Sequence, residues 1–431
     1  MQLREYQTRA ISDLRAQYAA GRRAPVLVLP TGAGKTVIAS SVIRSATERK
    51  RRTLFLVHRQ ELLSQSVSKL EHAGVTDLRI IRAGQDLGSS NAPVTVASIP
   101  TLTRWGDRMP GADLVVFDEC HHVVAKTWQR IADTYKSSHL LGMTATPERS
   151  DGQPLGDVFD SIVVGATVRE LTELGHLVPC RVWAPATLPE NGEIAADPAE
   201  AYKQHGGGQR AVIFCVTVEH AETVAASMPV PTRVVHGEMP ARERAQALAD
   251  FAAGTVRALC NVHVLTEGFD CPTAAVCILT RKPEHTGTFL QMVGRVLRPA
   301  PGKSEALLLD LGGSVWEHGT PDADRIYSLD GDGISKDTDR DAIRQCPTCG
   351  SVFLAARVIE GCCPTCGVAL PHRPVKPPRS NGKGVAEIGT VVPAADILRM
   401  NLQRVAKRTR RSVEWVERAH SAIFNRRFGW R

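Results

Sequence analysis

Short apolar runs separated by helix-spaced stretches mark most of the first 315 residues. Val26–Leu29, Thr53–Val57, Val94–Ser98, Leu114–Phe117 and His139–Met143 are runs of β-formers with little polar alternation. Such runs suit strands buried on both faces. Between them lie segments with helical spacing, such as Gln60–Ala73. This alternation predicts an α/β fold, with a parallel sheet covered by helices on both faces. The pattern then repeats, with strands expected at Ala211–Cys215, Arg233–His236, Arg257–Asn261, Ala275–Thr280 and Ala306–Asp310. Leu188–Gln209, rich in Gly, Pro and charge, reads as a connector with little core. Past residue 330 or so the apolar periodicity fades. Gly367–Pro393 reads as a Pro/Gly/Lys linker. Ala394–Phe424 returns to helical spacing, with Ile397, Val405, Val413, Val416 and Ile423 as apolar points among arginines.

Composition changes this picture little. At 431 residues and 43% hydrophobic content the chain can bury more than one core, and length alone suggests about three domains. No apolar run approaches the roughly 20 residues of a membrane span. The N-terminus, MQLREYQTRA, is polar, with no signal-peptide core. A soluble, cytoplasmic protein without a membrane partner is the expectation. Charge is informative through its position. Ten Lys/Arg and two Glu lie between Ile397 and the end, so that stretch carries the whole net charge of +8. A basic block on a balanced protein suits nucleic acid, and equally a solvated tail.

The candidate chemistry begins after the first strand. Pro30-Thr31-Gly32-Ala33-Gly34-Lys35-Thr36 joins an apolar run to a helix-like segment. A strand, a glycine turn and a helix N-terminus make a phosphate cradle. Lys35 would reach the β/γ-phosphates and the Thr36 hydroxyl would hold Mg²⁺. The commonest form of this loop has Gly at the place of Leu29. Leu114–Phe117 runs into Asp118-Glu119-Cys120-His121-His122. A strand ending in adjacent carboxylates supplies the second half of an ATPase. Asp118 would sit by Mg²⁺ and Glu119 would act as general base. Further on, Gln291-Met292-Val293-Gly294-Arg295-Val296-Leu297-Arg298 places two arginines three apart, on one face if helical. Both are candidates to stabilise charge at a γ-phosphate.

In order along the chain, these segments resemble the motif set of helicase superfamily 2. Leu3–Gln7 resembles the adenine-recognition motif, which implies Arg4 and Gln7 as base contacts. PTGAGKT is similar to the superfamily's own phosphate loop, with Thr31, Gly32, Ala33, Gly34, Lys35 and Thr36 around the phosphates. Val57–Leu62 and Ser98–Leu102 resemble motifs Ia and Ib. DECHH resembles the DEAH-type motif II, and Thr144-Ala145-Thr146-Pro147 the coupling motif, which implies coupling roles for His121, Thr144 and Thr146. Ala211–Cys215 with His236-Gly237 resembles motif IV. Thr266-Glu267-Gly268-Phe269-Asp270 resembles motif V, placing Gly268 and Asp270 at the nucleotide. Residues 291–298 resemble motif VI, adding Gln291 there. The resemblance covers residues 1–315 or so. It implies two tandem RecA-like domains, at 1–180 and 181–330, that close on ATP and Mg²⁺ while nucleic acid crosses their top. With the cysteine module described next, the chain resembles RadD-type DNA-repair helicases and their phage relatives. The segment from Pro189 to Arg210 is shorter than that group's inter-lobe segment. A bacterial or phage-infected cell is the implied setting.

Six of the eleven cysteines are scattered singly and read as small buried hydrophobes. Cys346-Pro347-Thr348-Cys349 and Cys363-Pro364-Thr365-Cys366 are two C-x-x-C knuckles, each followed by glycine. Four thiolates at this spacing suit structural Zn²⁺ in a ribbon over 340–370. Cys362, beside Cys363, is the alternative ligand. A linker at 371–393 and a basic helical tail at 394–431 complete the expected organisation. His58, Arg59, Thr101, Thr103, Arg104 and Thr266 are candidate nucleic-acid contacts, joined by Arg408 and Arg411 of the tail. The expected partner is single-stranded or forked DNA, bound without regard to sequence. A repair or replication protein could dock on the ribbon or tail. The leading expectation is an ATP-dependent DNA helicase or translocase in repair, recombination or phage replication. An RNA helicase, a non-catalytic recruitment module and a restriction-complex motor subunit remain as alternatives.

Overall fold

A computed structural model describes residues 3–58, 60–122, 125–149, 153–185, 194–265, 271–330, 335–336, 343–354, 358 and 362–370. The linker and basic tail expected beyond 370 lie outside the described residues.

Two eight-stranded sheets of mostly parallel strands organise the chain, consistent with tandem RecA-like domains. The first lobe contributes β1 (Pro25–Val28), β2 (Thr53–Val57), β3 (Leu78–Arg82), β4 (Gln85–Leu87), β5 (Val94–Ser98), β6 (Leu114–Asp118), β7 (His139–Thr144) and β8 (Ser161–Val164). Their spatial order is β4-β3-β5-β2-β6-β7-β1-β8, and only β4 runs antiparallel. Its helices are α1 (Glu5–Ala19), α2 (Lys35–Glu48), α3 (Gln60–His72), α4 (Ile99–Leu102), α5 (Ala125–Thr134) and α6 (Val168–Glu173).

The second lobe contributes β9 (Cys180–Trp183), β10 (Ala211–Phe214), β11 (Thr232–His236), β12 (Ala258–Val262), β13 (Val276–Leu279) and β14 (Ala306–Asp310). A small hairpin follows, β15 (Arg325–Ile326) with β16 (Ser335–Lys336), and then β17 (Ile343–Gln345) and β18 (Ser351–Leu354). The sheet order is β11-β12-β10-β13-β14-β9-β18-β17. Helices α7 (Pro198–His205), α8 (Val218–Ser227), α9 (Ala241–Ala253), α10 (Thr286–Gly294) and α11 (Val315–His318) complete the lobe.

The unbroken apolar strands are what two-sided burial requires. In β1 every residue is buried. Side chains alternate across a strand, so Leu27 packs into one core with Phe55 and Val116. Val26 and Val28 pack into another with Leu54, Val115 and Phe117. In β10, Val212 and Phe214 continue the first of these cores, while Ala211 and Ile213 belong to a third. One core cluster therefore runs from the first lobe into the second.

The connector expected over Leu188–Gln209 holds more structure than its composition suggests. Its described part contains α7, whose Ala199, Ala201 and Tyr202 are buried. Asp197 accepts hydrogen bonds from the backbone N–H groups of Ala199 and Glu200, and Pro198 opens the first turn. An Asp cap followed by proline is a helix start, which the abundance of glycine around it obscured.

The sheet also constrains Gly142, in the middle of β7. A Cβ there would lie 2.7 Å from the Phe159 ring and 3.0 Å from Cys120 Sγ. Gly142→Ala should overpack this spot and cost about 1–3 kcal/mol of stability, read as a lowered midpoint in chemical denaturation at unchanged slope.

Candidate active site and metal centre

The carboxyl ends of β1, β6 and β7 lie side by side, where α/β sheets place ligands. The chain leaves β1 through Leu29, whose N–H donates to the Thr144 carbonyl at 2.9 Å. Gly32 and Gly34 both adopt left-handed backbone, at φ 85° and 84°. Close approach adds to that requirement. A Cβ on Gly32 would meet Arg298 Nε at 2.9 Å, and one on Gly34 would meet Gln7 Nε2 at 2.7 Å. Gly34 is the N-cap of α2, and the first N–H groups of a helix lack intrahelical partners and attract anions. Lys35 Nζ donates to the Leu29 carbonyl at 3.4 Å and stands 3.5 Å from Glu119 Oε1.

Asp118 is the last residue of β6. Burial, and then the neighbouring Glu119 charge, push its carboxyl up to about 6, against the pull of Lys35 and Lys69. Glu119 follows with φ 50°, a conformation L-residues other than Asn and Asp seldom take. This left-handed step turns the chain off the strand, with the Glu119 carboxylate between Lys35 and His121. His121 Nδ1 lies 3.6 Å from Glu119 Oε2.

A buried polar chain then crosses between the lobes. Thr144 Oγ1 donates to the Thr146 carbonyl at 2.6 Å, which uses its only proton. It must therefore accept from His121 Nδ1, at 2.8 Å. A neutral His121 with its proton on Nδ1 leaves Nε2 as an acceptor. That acceptor is met by Gln291 Nε2 of the second lobe at 2.9 Å. Close backbone approach flanks this contact. A Cβ on Gly287 would lie 2.5 Å from Thr146 Oγ1, and one on Gly294 would lie 2.7 Å from Thr31 Cβ. Gly287, Gln291 and Gly294 recur at helical spacing, so one stripe of α10 faces the first lobe. Its N-terminus is held by Glu148, whose Oε2 accepts from Gly287 N at 3.1 Å.

Phosphate loop, acids and arginines line one cavity of about 690 Å³. Arg4, Thr31, Gly32, Gly34, Lys35, Thr36, Asp118, Glu119, Arg295 and Arg298 all face it. The two arginines do not share a helical face, because α10 ends at Gly294 and Arg295 is its C-cap. They reach the cavity from the turn that follows. Three other expected contacts are absent from the lining. Gln7 is buried behind the loop, its Nε2 3.4 Å from the Ala33 carbonyl and its Oε1 accepting from Arg4 N. Ala33 is likewise buried, and Gln291 spends its amide on His121.

Of the candidate nucleic-acid contacts, Arg104 is exposed and His58 half-buried. Thr101 faces inward, buried, with its hydroxyl 2.8 Å from Ser98 Oγ, so its side chain is core rather than surface. Thr103 turns its hydroxyl back onto the Ile99 carbonyl. Arg59, Thr266, Gly268, Asp270, Arg408 and Arg411 lie outside the described residues. Three residues with site geometry escaped the sequence reading. Tyr6 donates its hydroxyl to the Ala33 carbonyl at 2.7 Å. Lys69 lines the cavity from α3, and Glu148 grips α10. Tyr6, inside the Leu3–Gln7 segment, and Glu148, directly after the Thr-Ala-Thr-Pro segment, carried a positional signal; Lys69 carried none.

The four knuckle cysteines converge, with all sulfurs within 4.8 Å of one another. Cys346 and Cys366 are 3.7 Å apart, and Cys349 and Cys363 3.8 Å. Tetrahedral Zn–S bonds of about 2.3 Å imply sulfur separations of about 3.8 Å, so the donor set fits zinc and is far too open for disulfides. Cys362 instead makes a bridge with Ala369 and stands outside the group. Among the described residues, no helix is long and apolar enough to cross a membrane.

Two family models match the chain. Residues 1–149 match the type III restriction enzyme res subunit, and residues 197–300 the helicase conserved C-terminal domain. A 51.5 kDa protein of a Lactococcus phage is 29% identical, over 78% of this chain and 76% of that protein. The DNA 3'-5' translocase XPB2 of Sulfurisphaera tokodaii is 24% identical, over 72% of this chain and 81% of that protein. The chain spans only 58% and 52% of the ATP-dependent helicases irc3 of fission and budding yeast that it also matches. Among solved structures, a fragment described as the HsdR subunit of a type I restriction enzyme from Vibrio vulnificus has a TM-score of 0.60 at 23% identity. That likeness covers 74% of this chain and 66% of the fragment, and it shows the shared fold.

Gly294→Ala should wedge α10 off the phosphate loop and lower ATP turnover at least tenfold, with thermal melting nearly unchanged; turnover at the native rate would contradict the close approach. The ribbon should hold one zinc per chain by elemental analysis, and Cys349→Ser should reduce that content and lower the melting temperature.

Proposed function

This chain belongs to helicase superfamily 2, and we propose that it is a DNA motor that couples ATP hydrolysis to movement along one strand. One observation carries the reading. The phosphate loop and acidic pair of the first lobe share a single cavity with Arg295 and Arg298 of the second. A site assembled from two lobes links the nucleotide's state to their separation.

In this reading Glu119 takes a proton from a water whose oxygen attacks the γ-phosphorus of ATP. The bond to the β–γ bridging oxygen breaks, releasing ADP and phosphate. Lys35, Arg295 and Arg298 stabilise the charge that develops on the transferring group. Asp118 and the Thr36 hydroxyl are hard oxygen donors on the same cavity, suited to Mg²⁺, which when bound would neutralise phosphate charge. Arg4, on the same cavity, is the proposed contact to the base. Gln7 and Tyr6 prop the loop through the Ala33 carbonyl. His121, Thr144, Thr146 and Gln291 relay the nucleotide's state between the lobes.

The relatives whose names specify DNA and 3'-5' movement favour DNA as the track and that direction of travel. Residues 1–180 and 181–330 form the two motor lobes. The ribbon at 340–370 takes structural zinc, and the tail at 394–431 adds basic surface for DNA or a partner protein. Repair, recombination or phage replication is the proposed context, in a bacterial or phage-infected cytoplasm.

Glu119→Gln should lower ATP turnover by about 10²–10⁴-fold, the range for a lost general base, and Lys35→Ala should abolish it. Wild-type ATPase should rise with single-stranded or forked DNA and stay flat with RNA. Stimulation by RNA alone would overturn the choice of track; a Glu119→Gln variant at native rate would overturn the catalytic assignment.

A further inference from the structure

Lys303 sits on a tight turn just past the second-lobe arginines. Gly302, at φ 77°, reverses the chain, and the Lys303 N–H bonds the Ala300 carbonyl at 3.0 Å. The side chain returns under that turn. Its Nζ donates to the carbonyls of Arg298 at 2.7 Å, Ala274 at 2.6 Å and Pro272 at 2.9 Å. An ammonium has three protons and no acceptor, so three carbonyls satisfy it completely. The phosphate chemistry described for the cavity makes no use of this residue.

These acceptors belong to two separate stretches of chain. Arg298 precedes the turn, while Pro272 and Ala274 follow the segment 266–270 and lead into β13. Arg298 and Pro272 both line the nucleotide cavity. We propose that Lys303 is a positioning residue for hydrolysis, clamping the Arg298 backbone to the Pro272–Ala274 wall so that the guanidinium is held over the phosphate loop. This rests on the ATPase reading given above.

Two features support a task beyond filling space. An ammonium is costly to bury without acceptors, and a methionine would fill a similar volume at no such cost. Burial pushes Lys303 down to about 8, with the Arg298 charge adding repulsion. The three carbonyls favour the charged form. Arginine is also a poor substitute, because its planar fork cannot donate in three converging directions from one atom.

The experiment compares Lys303→Met, Lys303→Arg and Arg298→Ala in DNA-stimulated ATPase, alone and with Lys303→Met combined with Arg298→Ala. Lys303→Met should lower kcat at least tenfold while the dissociation constant for a fluorescent ATP analogue changes less than twofold. Lys303→Arg should recover part of the loss. The double variant should be scarcely slower than Arg298→Ala alone, as for two residues acting through one group. Native kcat in Lys303→Met beside a crippled Arg298→Ala would overturn the clamp and leave the site reading standing. Native kcat in Arg298→Ala would overturn both. Additive losses, or a fall in affinity that matches the fall in kcat, would show a merely structural lysine. Should Lys303→Met not fold, Lys303→Arg carries the test, with native kcat again the overturning result.

Discussion

The closeness of α10 to the first lobe is the constraint from which the site follows. Side chains larger than hydrogen at Gly287 or Gly294 would collide with Thr146 or Thr31. Only that closeness lets Gln291 reach His121, and lets Arg298 lie against Gly32. The cost of separating the lobes is therefore partly electrostatic. Opening would strip the His121 ring nitrogen of its donor, although water could then replace it. The closed arrangement is favoured by buried hydrogen bonds and by a core cluster shared between the lobes.

Inside the cavity the charges are set against one another. Two adjacent carboxylates meet the Lys35 ammonium, with Lys69 on the same cavity. At an effective dielectric near 20, the Lys35–Glu119 attraction is on the order of 4–5 kcal/mol before desolvation, and desolvation offsets much of that. The left-handed backbone at Glu119 adds strain of roughly 1–2 kcal/mol. Strain of this kind persists where surrounding structure imposes it. Here the imposing structure is β6 on one side and the Cys120–His122 turn on the other. The same step that strains the backbone takes Glu119 off the strand direction of Asp118. The two acids thereby occupy distinct environments, as their proposed separate roles of cation ligand and base demand.

The central strands were legible because two-sided burial leaves few polar residues inside them; β2, β5 and β14 match their apolar runs residue for residue, with only Thr53, Thr95, Ser98 and Asp310 as buried polar residues. Weaker strands were not. β3 and β8 lie at or near a sheet edge, half-buried; β3 mixes two arginines with its apolar residues, and β8 is only four residues long and opens on a serine. Local spacing also misled at Arg295 and Arg298, where i and i+3 suggest a helical face but the chain turns after Gly294. A glycine at the end of a helical run is itself a stop signal, and here the same glycine admits Thr31. Thr101 and Gln7 show a different limit. Their chemistry suits a ligand, but whether a hydroxyl or amide faces the ligand or props a neighbouring carbonyl depends on tertiary contacts. Tyr6, Lys69 and Lys303 act across 27 or more residues of chain or through backbone carbonyls, and no local pattern encodes such reach.

The cysteine ribbon extends this dependence on tertiary pairing. Its composition suggests a module stapled by metal and standing apart, yet β18 pairs antiparallel with β9, the strand beside β14. The hairpin β17–β18 is thus the edge of the second lobe's own sheet. Trp183, on β9, stacks on His205 of α7 at 3.9 Å, and lies 3.3 Å from where a Cβ on Gly350 would be. Gln345 donates to the Ala184 carbonyl. A segment this small has few apolar residues for a core of its own, so it draws order from two sources, four clustered cysteines and a borrowed sheet edge. The dependence runs both ways. With the hairpin in place, β9 is paired on both sides; without it, β9 would become an exposed edge strand, the kind that invites unwanted pairing. The cysteine cluster and the lobe that supplies Arg295 and Arg298 are therefore linked through one shared strand.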